Sequence, residues 1–126
     1  MTRYVLDAGA FVAVERGDRK AFAILKAAHE RSTPMATSAG VVAQVWYDGA
    51  RQARLATVLR RCEVVDLTEA AARLIGPLLR ATSTSDVVDA HVALLARPGD
   101  AVVTSDPGDL YRLLDHLDVD ASIIAI

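Results

Sequence analysis

Five short apolar runs punctuate this chain, and segments with helical periodicity separate them. The runs are Tyr4-Val-Leu-Asp-Ala8, Pro34-Met-Ala-Thr37, Val64-Val-Asp-Leu67, Ala101-Val-Val-Thr104 and Ser122-Ile-Ile-Ala-Ile126. Runs this short and apolar read as strands covered on both faces, which is the environment of a parallel sheet. Parallel neighbours need long crossover connections, and the intervening helices supply them. The pattern predicts an α/β fold. One domain spanning residues 1–126 would hold a central, mainly parallel five-stranded sheet flanked by helices on both faces.

The helical segments carry their own start and stop signals. Ala10 to Glu15 reads as a brief helix stopped near Gly17, after which Asp18 can cap a helix whose Ala21, Leu25 and Ala28 recur at i, i+4 and i+7. From Ser38 the period is helical again, with Val42, Val45 and Trp46 on one face and an end near Gly49. That spacing predicts Trp46 in the core. Arg51 to Arg61 is amphipathic. Thr68 and Glu69 open a helix from Ala70 to Ala81 in which Pro77 predicts a kink or a break. Asp86 to Arg97, closed by Pro98-Gly99, and Pro107 to Leu117 are the last two helices.

Composition narrows the function classes. With 52% hydrophobic but 5% aromatic residues, the core must be built from Ala, Val, Leu and Ile rather than rings. A net charge of -2 excludes a surface that attracts nucleic acid everywhere, but it leaves room for a local basic patch. The cations are nearly all Arg and the acids mostly Asp, so planar forks for phosphate and short oxygen ligands for hard cations are both in supply. Cys62 stands alone, which excludes an intramolecular disulfide and leaves a thiolate metal site without partners. No run approaches the roughly 18 apolar residues of a membrane span. The N-terminus enters strand sequence directly, without a signal-peptide pattern, so a cytoplasmic protein with no membrane association is expected.

In open parallel sheets, ligands bind beyond the carboxyl ends of the strands. Asp7 ends the first strand and Asp106 follows the fourth. Each also has a structural use: Asp7 can cap the next helix, and Asp106-Pro107-Gly-Asp109 has the form of a helix N-terminus. Asp89 is harder to explain that way. It interrupts Val87-Val-Asp-Ala-His-Val-Ala-Leu-Leu-Ala96, a segment apolar nearly all round, and a carboxylate on the inner face of such a helix needs a compensating charge. The segment has no cation before Arg97, so a bound metal or an Arg from elsewhere must supply it. Three carboxylates converging from separate elements are less easily explained by independent caps, and together they resemble an oxygen-rich site suited to Mg²⁺ or Mn²⁺.

Four stretches, taken in order, carry a resemblance that covers essentially the whole chain. They are Val5-Leu-Asp7-Ala-Gly-Ala-Phe11, the helix from Ser38 to Trp46, Asp86-Val-Val-Asp89-Ala-His-Val-Ala93, and Val103-Thr-Ser-Asp106-Pro-Gly-Asp109-Leu110. Together they resemble the PIN-domain ribonucleases, and among these the VapC toxins of bacterial toxin-antitoxin pairs. The resemblance implies a divalent-metal-dependent endoribonuclease, with Mg²⁺ or Mn²⁺ held by Asp7, Asp89 and Asp106. It places Asp86 and Asp109 beside the metal ligands and Thr104 as a small hydroxyl near the site. It further implies an RNA substrate, a cognate VapB-like antitoxin and a homodimer.

The family's early Glu aligns with Gln44, and the exchange removes a charge and turns one acceptor oxygen into a donor NH₂. Reduced activity is the expectation. The alternative is a silent PIN-like domain that binds RNA or an antitoxin without cutting. Arg51 and Arg54, in the densest basic stretch, are candidate phosphate contacts for RNA, against the plainer reading of a solvated helix face. Trp46 and Tyr47 can stack on a base. His91 lies two residues past Asp89 and on a helix points away from it, so it is expected as a core or interface histidine.

Two other Asp-bearing α/β classes fit less well. Haloacid-dehalogenase-like phosphatases would want an acid where Gly9 stands, and phosphoacceptor receiver domains a Lys near the last strand, whereas both lysines are Lys20 and Lys26.

Overall fold

The computed structural model describes residues 2–126. Its elements follow the order β1 (Tyr4–Leu6), α1 (Ala8–Glu15), α2 (Arg19–Glu30), β2 (Met35–Ser38), α3 (Ala39–Val45), α4 (Ala53–Arg60), β3 (Cys62–Val65), α5 (Glu69–Thr82), α6 (Val87–Leu95), β4 (Ala101–Thr104), α7 (Pro107–Leu117) and β5 (Ser122–Ala125), with a 3-10 turn at Gly49–Arg51. The five strands form one sheet in the order β3-β2-β1-β4-β5, and every pairing is parallel. The expected α/β architecture is thus what the chain adopts.

Strand β1 sits at the centre because it is apolar enough to be covered on both faces: Val5 and Leu6 are fully buried. The neighbouring β2 and β4 are buried at every position, whereas the edge strands β3 and β5 are partly exposed. Expected burial on both faces therefore holds for the three inner strands only. Helix α1 packs with α2, α3 and α4, while α5, α6 and α7 pack with one another, and α6 also covers β1 and β2. The core between them contains Phe11, Leu25, Leu55, Leu110 and Leu113 alongside many Val and Ala. Each buried Leu or Val contributes about 1.5–3 kcal/mol of transfer free energy.

Several local boundaries differ from the sequence expectation, each for a physical reason. Helix α3 stops at Val45, short of Gly49, and the residue after it, Trp46, has extended backbone (φ -88, ψ 120). The helical direction from Val42 to Trp46 is lost there, so Trp46 is 44% exposed instead of in the core. Its ring lies over Gly49, where a Cβ would meet the indole at 2.5 Å. The next helix begins at Ala53 rather than Arg51, because the 3-10 turn intervenes. Strand β3 starts at Cys62, two residues before Val64, in register with Met35. Helix α5 runs through Pro77 without a break. Gly76 has no Cβ to clash with the proline ring, which relieves the restriction on the residue before a proline. Among the described residues, no helix is long and apolar enough to cross a membrane.

Candidate metal centre

The carboxyl ends of β1 and β4 lie side by side, with Leu6 in register with Val103 and the Asp7 N–H bonded to the Val103 carbonyl at 3.2 Å. Asp7 follows β1 directly and caps α1, its Oδ1 accepting the Ala10 N–H at 3.1 Å. Its Oδ2 accepts a short hydrogen bond from the hydroxyl of Thr104, the last residue of β4. The same hydroxyl oxygen accepts the Asp106 N–H at 3.0 Å. Thr104 is fully buried and Asp7 is 6% exposed. Burial drives the Asp7 carboxyl above its ordinary range, opposed by the Thr104 hydroxyl and by the α1 amides.

Asp106 occupies the N-cap position of α7 but makes no capping hydrogen bond with its side chain. The cap that the sequence allows is not formed, and the exposed Asp106 carboxylate keeps its oxygens uncommitted. Asp86 does cap, accepting the Asp89 N–H at 2.9 Å. Asp109, in the first turn of α7, lies 3.7 Å from Arg112.

Asp89 is half-buried on α6, and its carboxyl is pushed up to about 7. Burial is the larger cause, and the negative charges of Asp86, Asp7, Asp109 and Asp106 add to it in that order. Five carboxylates from β1, α6 and α7 therefore share one electrostatic neighbourhood. Among the described residues, none of Asp7, Asp86, Asp89 and Asp106 has an ion-pair partner. The compensating Arg that Asp89 would otherwise require is absent from that set.

The donor set is all oxygen and anionic, which is the chemistry that Mg²⁺ or Mn²⁺ favours. Among the described residues, no three His, Cys, Asp or Glu side chains already stand in a metal-holding arrangement. Like charges keep apart when nothing positive lies between them. The Asp106 side chain is exposed and makes no capping hydrogen bond, whereas Thr104 and the α1 amides hold Asp7. The residues fit a hard dication in type and charge.

Gln44 is exposed on α3. Arg51 and Arg54 are placed elsewhere, lining a surface cavity of about 300 Å³ with Glu15, Gln52 and Ala53. Glu15 ends α1 while Asp7 begins it, and eight residues of helix span about 12 Å. Closeness to Gln44 in sequence does not carry these arginines to the carboxylates.

Two clusters had no signal in local sequence pattern. Gln52 is 1% exposed and fully bonded: its Nε2 donates to Val45 O at 2.7 Å and Glu15 Oε1 at 2.9 Å, and its Oε1 accepts the Tyr47 and Asp48 N–H groups at 3.0 Å each. It pins the segment that presents Trp46 and Tyr47, and the exposed Tyr47 hydroxyl donates to Glu15 at 2.8 Å. The second cluster is the buried pair Ser38 and His91, with Oγ and Nδ1 2.6 Å apart. His91 is a core residue, as expected.

The chain resembles VapBC2 from Rickettsia felis, solved bound to a DNA fragment from their promoter, with a TM-score of 0.68 and 16% identity over 98% of this chain and 99% of that one. It also resembles PAE2754 from Pyrobaculum aerophilum, with a TM-score of 0.58 and 19% identity over 97% of this chain and 83% of that one. At these identities the likeness is one of fold. No curated protein matches the chain in sequence. The family model of the PIN domain matches residues 4–114. With nearly the whole sheet and all the clustered carboxylates inside that match, the chain belongs to the PIN domain family.

Proposed function

We propose that this chain is the toxin of a type II toxin-antitoxin pair and acts as a divalent-metal-dependent endoribonuclease. The observation that carries the reading is the gathering of Asp7, Asp86, Asp89 and Asp106, none of which has an ion-pair partner among the described residues, around a half-buried Asp89 whose carboxyl is pushed up to about 7 by burial and by these neighbours together with Asp109. A group in that state is poised to ionise when positive charge arrives. The structural likeness to VapBC2 supports the toxin half of the reading.

In this reading Asp7, Asp89 and Asp106 hold the metal. When bound, Mg²⁺ or Mn²⁺ supplies acidification of water and positive charge to offset what gathers on phosphorus. The protein's own residues position and desolvate. Thr104 and the α1 amides fix the Asp7 oxygens, while Asp86 orders the first turn of α6 beneath Asp89. Asp109 lends negative charge next to Asp106 and is itself tempered by Arg112. Arg51 and Arg54, at the far end of α1, would contact phosphates of a strand that runs the length of that helix. An RNA substrate, a VapB-like antitoxin, homodimeric assembly and a cytoplasmic location belong to the same reading.

Gln44 lacks the charge of the usual Glu, so hydrolysis should be slow. Purified protein with Mn²⁺ is expected to cleave structured RNA weakly, and Gln44→Glu to accelerate cleavage. If neither form cuts RNA, the nuclease assignment falls and the silent RNA- or antitoxin-binding domain takes its place.

A further inference from the structure

The pairing of Ser38 with His91 joins two elements that bear site residues. Ser38 caps α3, the helix of Gln44, and His91 lies in α6, the helix of Asp89. Both are buried, Ser38 completely and His91 to 2% exposure. The Ser38 oxygen already accepts the Gly40 N–H at 2.9 Å, so its own proton is available to donate. Among the described residues, His91 Nδ1, 2.6 Å away, is the acceptor within reach. No buried side-chain nitrogen or oxygen among them lacks a partner, so the unbonded His91 Nε2 must touch solvent, where it can carry the ring proton.

A close contact lies one step along the same seam. A Cβ on Gly40 would stand 3.0 Å from Val88 Cγ2, so glycine lets α3 and α6 approach there. As α3 runs from Ser38 to Gly40, its partners on α6 run back from His91 to Val88; the two helices cross in opposite directions. Gln44 is one turn beyond Gly40 on the same helix face. Continuing the seam carries it toward the N-terminal end of α6, where Asp86 caps the helix and Asp89 lies in the first turn.

We infer that His91 is a positioning residue: by accepting the Ser38 hydroxyl proton it fixes the register of α3 on α6, and so the place of Gln44 relative to Asp86 and Asp89. It touches neither substrate nor metal and acts through Ser38. The inference rests on the reading of those acids as a metal site, but the seam can be tested apart from it. Losing a group that orients metal-binding side chains costs about 10–100-fold in affinity, and the lower end is expected for one acting at this remove.

The test combines nitrogen NMR with Mn²⁺ titration by electron paramagnetic resonance, on the whole chain and on His91→Ala, His91→Asn and Ser38→Ala. In the parent protein His91 should carry its proton on Nε2 and none on Nδ1. His91→Ala should shift the Gln44 side-chain amide signal and weaken Mn²⁺ binding about tenfold, with unchanged far-ultraviolet circular dichroism. His91→Asn, whose Oδ1 can accept the same hydroxyl proton, should restore both. If His91→Ala does not fold, Ser38→Ala carries the same expectations. A proton on Nδ1 in the parent, or an unmoved Gln44 signal in the folded variants, overturns the inference. A parent protein that binds no Mn²⁺ overturns the metal-site reading instead, and the tautomer and the Gln44 signal then decide the seam by themselves.

Discussion

Thr104 and Asp7 are joined by a single hydroxyl that donates to the carboxylate while its oxygen accepts the Asp106 N–H at 3.0 Å. One buried side chain thereby sets the spacing between the end of β1 and the loop that carries Asp106. A threonine at this point couples two acids that are 99 positions apart in sequence.

Replacing Thr104 by Val keeps the shape and removes both hydrogen bonds. Asp7 then has an unsatisfied buried oxygen, and a loss of about 1–3 kcal/mol in unfolding free energy is expected from urea denaturation. The Thr104 hydroxyl is also the strongest of the influences that lower the Asp7 carboxyl, so Asp7 should titrate higher in the variant when followed by carbon NMR. Thr104→Ser should keep the Asp7 titration close to that of the parent. A Val variant as stable as the parent would show that the hydroxyl is dispensable.

Asp89 makes the stability of the metal-free protein depend on pH in a defined direction. Its carboxyl moves from an ordinary 3.8 to about 7 on folding, so between those values the folded state binds the extra proton. Stability from this group is complete below 3.8 and is lost as pH rises through about 7. The melting temperature should fall between pH 5 and pH 8, and Asp89→Asn should flatten that fall. Mn²⁺ favours the ionised carboxylate and should raise the melting temperature more at pH 8 than at pH 5. Equal slopes for parent and Asp89→Asn in calorimetry would mean that another group titrates.

Gly9 permits the close approach of α1 to the loop between β4 and α7. A Cβ there would overlap Ser105 Oγ and stand 3.0 Å from the Ser105 backbone nitrogen, so the loop itself must move. Gly9→Ala is expected to cost about 1–3 kcal/mol, as other overpacking does. Because Asp106 follows Ser105, Mn²⁺ affinity should fall as well, measured by calorimetric titration. Gly9→Ala with unaltered stability and affinity would place the loop elsewhere.

Much of the frame was legible in the residues. Alternation of short apolar runs with helical periods predicts a parallel sheet, and all five strands form, although β3 begins two residues early and only the inner three are covered on both faces. Strand runs locate Asp7 and Asp106 beyond the carboxyl ends, and the helical step from Asp89 turns His91 away from that acid toward a core or interface position, of which the structure shows the buried one. Trp46 went the other way, because helical spacing predicts burial only while the helix lasts and α3 ends one residue sooner. Asp106 could be read as a cap or a free ligand from sequence alone. Its side-chain geometry resolves that choice against the cap.

The sequence by itself determined the α/β class, the helix starts that depend on a local Asp, Ser or Thr, and the presence of acids where such sheets bind ligands. These follow from interactions within a few residues, which periodicity and capping chemistry encode. The tertiary structure alone decided the Thr104 link from Asp7 to Asp106, the Ser38–His91 tie between α3 and α6, the Gln52 clasp on the Trp46 segment, and the separation of Arg51 and Arg54 from the carboxylates. The long-range links among these join residues brought together by the packing of helices on a shared sheet. Their energies depend on distance and burial, and neither is written in any short stretch of chain.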